Sequence, residues 1–250
     1  LGSYKQENYI LTADQPIDTS IEFIVNDHTL NKNGNYLKFL SSVESTIQLK
    51  DTTARTTFSK ANLTNFSLDF SVGELALGKY GYQCDSLSVS EGNSLIDLDL
   101  DSSKFNIFRP QDITLTTNLT EGINSTDYPI QSASISVGIE RRPTIRVGER
   151  GAKRRYPVLP AQGSLSISIL KNKVEETLDL SSLVAKKGNF TFVMSETALG
   201  SASANPNLNV VVHDCFLNSV SQSHSLDGNA SLDFSYTFPI SNDAIEYYFS

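Results

Sequence analysis

Three histidines, two cysteines and one run of alternating aspartates are the side chains of this 250-residue sequence best suited to chemistry. His213-Asp214-Cys215 sets an imidazole near a thiol, the raw material of an activated nucleophile. The triplet follows Val210-Val211-Val212, a buried-looking strand, and adjacent strand residues point to opposite faces. His213 therefore reads as structural, and His28 and His224, in polar or turn-like surroundings, read as solvated. Cys84 and Cys215 are far apart and lack a CxxC or His-rich neighbourhood, which argues against a disulfide framework and a zinc site. They read as two buried free thiols. Asp97, Asp99 and Asp101 alternate, so their carboxylates share one strand face, a pattern that invites calcium. The run lacks the glycine and distal glutamate of an EF-hand loop, and Leu98 and Leu100 interleave it as in a regular strand. It reads as an acidic stripe that faces solvent, a lumen or a basic partner. There is no Gly-x-Ser-x-Gly elbow, His-Glu-x-x-His, P-loop or dinucleotide fingerprint. The expectation is a chain that is not an enzyme and that holds no cofactor or metal.

Positive charge is concentrated in one segment. Arg141, Arg142, Arg146, Arg150, Lys153, Arg154 and Arg155 lie within fifteen residues, with only Glu149 among them. Such a run is a solvated loop, a nucleic-acid patch or a docking element. The sequence has no Trp, and Tyr156 is the one aromatic residue beside the cations, so base stacking is poorly supported. A net charge of -8 also argues against a sequence-independent grip on nucleic acid, which needs cations to replace condensed counterions. Pro143, Pro157 and Pro160 restrict the segment, which suits docking. On an acidic protein that assembled with copies of itself, its natural target would be the next subunit.

The elements that must carry these groups are strands. The hydrophobic fraction is 39%, with 13 Phe and 10 Tyr, enough for a core, and the abundant Ser, Thr and Asn disfavour helix. Apolar residues alternate with polar ones along Phe66–Val72, Ile96–Leu100, Ile135–Ile139, Leu165–Ile169 and Leu232–Phe238, the pattern of half-buried strands. Val210 to Val212 reads as a strand buried on both faces. At most one or two short helices are expected, the clearest from about Leu178 to Lys186, and turns at Asn33-Gly34-Asn35, Glu91-Gly92-Asn93 and Asp227-Gly228-Asn229. No apolar run reaches the ~20 residues of a membrane-spanning helix. The organisation expected is an N-terminal arm (1–17) and two β units (18–115 and 116–250), packed separately or as one domain. An internal duplication is suggested by Ser67-Leu68-Asp69-Phe70 leading to Gly78-Lys79-Tyr80-Gly81, and Ser134-Ile135-Ser136-Val137 leading to Gly148-Glu149-Arg150-Gly151. Each half would be a strand, a loop with Gly-x-x-Gly, and a returning strand. The fold class is all-β: an antiparallel sandwich or barrel with long hairpin loops.

Taken together, Phe66-Ser67-Leu68-Asp69-Phe70-Ser71-Val72-Gly73, Gly148-Glu149-Arg150-Gly151 with Tyr156-Pro157-Val158-Leu159-Pro160, and Ser225-Leu226-Asp227-Gly228-Asn229-Ala230-Ser231-Leu232-Asp233-Phe234 resemble tailed-bacteriophage virion proteins, the tail tube proteins above all. The similarity spans about residues 60 to 245 and is one of style more than of strict motif. It implies self-association into hexameric rings that stack into a tube, contacts with other virion proteins, and DNA passing through without specific binding. It also implies a place in the virion tail after synthesis in the host cytoplasm. The subunit is longer than many tube proteins. A capsid decoration or head-to-tail connector protein shares the composition, as does a secreted β-sandwich adhesin, although the absence of Trp disfavours sugar binding.

Overall fold

In a computed structural model the protein is described over residues 16–25, 39–41, 44–50, 54–91, 108–118, 129–147, 152–170, 187–196, 207–224 and 230–249. Among these residues there are strands and turns and no helix. The strands are β1 (Ile17–Ile24), β2 (Ser45–Lys50), β3 (Ala54–Ser71), β4 (Leu77–Cys84), β5 (Ser86–Glu91), β6 (Pro110–Thr117), β7 (Ile130–Gly138), β8 (Arg141–Thr144), β9 (Arg154–Pro157), β10 (Gln162–Leu170), β11 (Lys187–Glu196), β12 (Leu208–His224), β13 (Ala230–Pro239) and β14 (Ile245–Phe249). The fold is therefore all-β, as the alternation indicates. The expected helix at 178–186 and the acidic run at 97–101 lie outside the described residues, as do most of the expected turns.

One antiparallel sheet runs β1-β4-β3-β7-β10-β13-β12-β11-β6, with β2 and β5 attached to β3 and β14 to β12; β8 and β9 form a separate pair. The sheet is not closed into a barrel. It folds over because β12 changes partners along its length: residues 208 to 212 lie between β11 and β14, and residues 219 to 224 pair with β13. The bend falls at Asp214, which has a positive φ of 61°. That conformation puts an irregularity in the strand, so Val212 and Cys215, three residues apart, both turn inward. The two layers meet at Phe70 and Phe192, whose rings are 5.8 Å apart, and at Phe190 and Tyr236, 4.5 Å apart. Phe66, Leu68, Phe70, Ile135, Val137, Leu165, Ile167, Ile169, Phe234 and Phe238 complete this core. These are the inward members of the alternating runs, held there by the free energy of burying apolar surface. Val210 and Val212 are buried but Val211 is only half-buried, so this run has one dry face instead of the two expected.

The molecule contains an internal repeat, but not the one suggested by the glycines. Gly78 and Gly81 lie inside β4 and not in a loop; Gly148 and Gly151 lie outside the described residues. The turn after β3 is instead made at Gly73, whose φ of 80° is cheap only without a Cβ. The repeat relates β1–β5 to β10–β14. In the first, β1 pairs with β4, β4 with β3, and β3 with both β2 and β5. In the second, β10 pairs with β13, β13 with β12, and β12 with both β11 and β14. The registers coincide residue by residue: Leu63 opposite Tyr82 and Asn65 opposite Gly81 correspond to Leu217 opposite Tyr236 and Ser219 opposite Ser235, with the same bulge between. A second bulge, between Ser45 and Ile47, recurs between Gly188 and Phe190. Each long strand carries one non-glycine residue of positive φ at the matching place, Lys60 and Asp214. β6 to β9 join the repeats, and the unit boundary expected at residue 115 falls inside β6, which pairs with β11 of the second repeat.

Candidate assembly surfaces

The basic segment folds into the β8–β9 hairpin, where Arg142 lies opposite Tyr156 and Thr144 opposite Arg154. Strand alternation divides the cations between two faces. Arg141 and Arg155 point inward and are 7% and 4% exposed. Arg141 donates from Nε to the Leu63 carbonyl (2.7 Å), from Nη1 to that of Ser41 (2.9 Å) and from Nη2 to that of Phe39 (2.9 Å). Burial pushes its pKa down, and the carbonyls take the place of solvent around the charge. Arg155 donates through Nε and Nη2 to one oxygen of Asp85 (3.1 and 2.5 Å) and through Nη1 to Gln83 (3.2 Å). Lys60 adds a contact to the same carboxylate at 3.6 Å and donates to the Ala152 carbonyl at 3.3 Å. The segment thus docks on an acidic side chain, but within its own chain: the expectation that all seven cations face a neighbour is corrected for Arg141 and Arg155. They fail as exposed docking groups because alternation turns them onto the face that covers the first repeat. Arg142, Arg146, Lys153 and Arg154 are exposed, together with Ile145, Val147 and Tyr156. Arg150 lies outside the described residues, as do Asp97, Asp99 and Asp101.

A second surface was not anticipated. The outward residues of β3, β7, β10, β13 and the far half of β12 line up across the sheet as rows of hydroxyls. Ser67, Ser136, Ser164 and Thr237 form one row. Asp69, Ser134, Ser166, Ser235 and Ser219 form the next, and Ser71, Ser132, Ser168, Asp233 and Ser221 the third. The two carboxylates accept hydrogen bonds from their neighbours in the rows: Ser134 Oγ donates to Asp69, and Ser168 Oγ to Asp233 at 2.7 Å. At the β1–β4 end Lys79 donates to Glu22 at 2.9 Å, and this bond holds the Glu22 carboxyl below its usual pKa. The face is broad, hydroxylated and weakly acidic, and Lys79, opposite Ser67 on the neighbouring β4, is already paired with Glu22. The alternate serines of each strand are visible in the sequence, but their alignment into rows depends on the cross-strand register.

The thiols and the histidine do not meet as a catalytic pair. Cys84 packs with Phe58 and Ala61 in a small cluster, whereas Cys215 lies in the main core. Both are free. Burial, reinforced by Asp85, pushes the Cys84 thiol up to about 11, and burial with Asp214 pushes Cys215 up to about 12. Cys215 Sγ lies 3.8 Å from the Val212 carbonyl, while His213 Nε2 approaches Glu246 at 3.7 Å. A protonated thiol aimed at a carbonyl is a poor nucleophile. No group of three or more metal-ligating side chains occurs among the described residues, and no helix there is long and apolar enough to cross a membrane. No protein-family model matches the chain, and no curated protein matches it.

Proposed function

We propose that this chain is a non-enzymatic assembly protein of a phage virion, a tail tube subunit whose copies form stacked rings around a channel for the genome. The observation that carries the reading is the hydroxyl face. A conduit for DNA must be wetted without holding phosphate, because each lysine or arginine on its wall would displace a counterion and slow the passage. Rows of serine supply hydrogen-bonding groups without cations, and Asp69 and Asp233 add weak repulsion of phosphate. The outward cations of the β8–β9 hairpin, Arg142, Arg146, Lys153 and Arg154, are separate from this face and supply a contact to the acidic surface of a neighbouring ring.

Negative-stain electron microscopy of the purified protein over a range of concentrations tests the reading. Hollow rings or tubes of uniform width are expected, and a monomer at every concentration overturns it. In assembled wild-type tubes DNA should pass without retention, whereas Ser134→Lys with Ser166→Lys should retain it in a salt-dependent manner. Tubes of both proteins that retain DNA equally would remove the hydroxyl face from the mechanism. Tubes that survive Arg142→Glu with Arg154→Glu would remove the hairpin from the ring contacts.

A further inference from the structure

The two ends of the long strand β3 carry complementary chemistry. At one end the β8–β9 hairpin lies along the strand: the Ile139 amide donates to the Thr64 carbonyl, Arg141 to the Leu63 carbonyl, and Lys60 to the Ala152 carbonyl. The hairpin thus runs from residue 64 towards residue 60. It leads to the limb formed by β2, β5 and the near half of β3, the counterpart of β11, β14 and the near half of β12 in the second repeat, and away from the turn at Gly73. Ile145 and Val147 in this hairpin are 54% and 108% exposed, and Arg142, Lys153 and Arg154 are exposed with them. Neither Lys153 nor Arg154 has an ion-pair partner among the described residues.

The other end is the turn between β3 and β4, where Val72, Leu75 and Leu77 are 38%, 39% and 51% exposed. Its backbone is braced, with the Val72 amide on the Gln131 carbonyl at 2.9 Å and the Gly73 amide on the Pro110 carbonyl at 2.8 Å, so these side chains are held out on a fixed frame. A cavity of about 230 Å³ opens beside Leu77, lined also by Glu22, Ser67, Asp69, Gly78 and Lys79. Lys79 is paired with Glu22, and Arg109 donates to the Gly73 carbonyl. Asp69 and Glu74 have no ion-pair partner among the described residues. An apolar turn with carboxylates therefore stands at one end of the strand, and an apolar tip with cations at the other. From Lys60 to Gly73 the chain extends roughly 40 Å, so the two do not meet within one molecule.

We propose that the β8–β9 tip of one copy docks on the β3–β4 turn of a second copy. Ile145 and Val147 cover Val72, Leu75 and Leu77, an aliphatic side chain of the tip enters the cavity beside Leu77, and Lys153 and Arg154 face Asp69 and Glu74. The partner is another copy because both halves of the contact are built into this chain; a lipid surface would meet the cations and leave the acidic turn unused. Two different surfaces at opposite ends meet, so the contact is heterologous and sets one unit above another along the strand direction. The inference rests on the stacked assembly proposed above, and names the acidic surface that the hairpin's cations meet.

Two blocked variants test it. Ile145→Ser with Val147→Ser removes the apolar tip, and Glu74→Lys with Leu75→Ser sets the turn against the cations; all four positions are exposed. Analytical ultracentrifugation should show each folded variant as one unstacked unit, chain or ring, under conditions where the wild type stacks. An equimolar mixture should give pairs of units that grow no further, because one intact tip and one intact turn survive between them. A variant that stacks like the wild type overturns the contact, as does a mixture of folded variants that stays unpaired. Should the turn variant lose its fold, chains with Leu75→Cys and chains with Val147→Cys, mixed and treated with a bifunctional thiol reagent, should yield the mixed dimer and neither homodimer, since Cys84 and Cys215 are fully buried; a random yield overturns the proposal. Tip-dependent binding to phosphatidylglycerol vesicles, without pairing, would assign the tip to a lipid surface and overturn it as well. Paired units from the mixture, but no hollow rings from the wild type, would leave the contact standing and remove the tube reading. Hollow tubes indifferent to both variants would do the reverse.

Discussion

In the second repeat Phe190, Phe192, Val210, Val212 and Ile245 lie beneath the main sheet, while the residues in the same places in the first, Ile47, Leu49, Thr56, Phe58 and Leu87, are mostly half-buried or exposed. The far halves of the long strands are reversed: Phe66 and Leu68 on β3 are buried, whereas Val220 and Gln222 on β12 are not. Shared pairing with opposite burial teaches that backbone register and side-chain environment are separable. The bulges at Lys60 and Asp214 fix where each long strand bends, and what then lies over the limb depends on the repeat's position in the chain. Among the described residues the first repeat spends its sheet on the joint and leaves Leu49, Leu87 and Val89 of its limb exposed; the second covers its limb and leaves Ser219 and Ser221 of β12 exposed.

The largest effect should come from treating the two limbs alike. Phe192→Ala removes a buried ring facing Phe70 and should cost about 3–5 kcal/mol in denaturant unfolding, while Leu49→Ala, at the matching exposed position, should change the isolated chain by less than about 0.5 kcal/mol. Equal losses would erase the distinction between a covered and an uncovered limb.

The next contrast lies within the hairpin that joins the repeats. Arg141→Met leaves the carbonyls of Leu63, Ser41 and Phe39 without their donor and should destabilise by about 2–4 kcal/mol. Arg155→Met, which strips the main partner from the largely buried Asp85, should fall in the same range of about 2–4 kcal/mol. Arg142→Met, on the outward face with an exposed Glu140 3.6 Å away, should cost less than about 0.5 kcal/mol. A thermal-denaturation series in which all three behave alike would contradict the division of the cations between two faces.

The smallest effect separates the thiols. An ordinary thiol releases its proton near pH 8.5, whereas Cys84 holds its proton to about 11 and Cys215 to about 12. Between those limits the folded chain binds protons that the unfolded chain has lost, so stability falls as pH rises. At pH 10 the loss should be about 2 kcal/mol for each thiol, and Cys215→Ala should remove its share of that slope while introducing its own pH-independent cavity cost. A pH-independent midpoint between 8 and 10 would show that the thiols are already solvated.

Local chemistry was sufficient for the all-β class and for most of the inward residues. Phe66, Leu68 and Phe70, or Leu165, Ile167 and Ile169, alternate with serines and aspartate, and a period of two on a pleated strand leaves little choice of face. The thiols were legible for the same reason: no ligand or partner cysteine lies near either in the sequence. The basic hairpin was legible as an element but misjudged in part, because alternation across a β-hairpin sends Arg141 and Arg155 inward, and counting charges cannot show which carbonyls or carboxylates wait there. The repeat and the serine rows could not be read at all. Lys60 and Asp214 share no chemistry, nor do Leu49 and Phe192, and what equates them is their place in the hydrogen-bonded register. Composition and periodicity decided that this chain makes two-faced strands. Only the tertiary structure decided which strands lie side by side, because pairing is settled by the sum of long-range contacts and not by any residue's own preference.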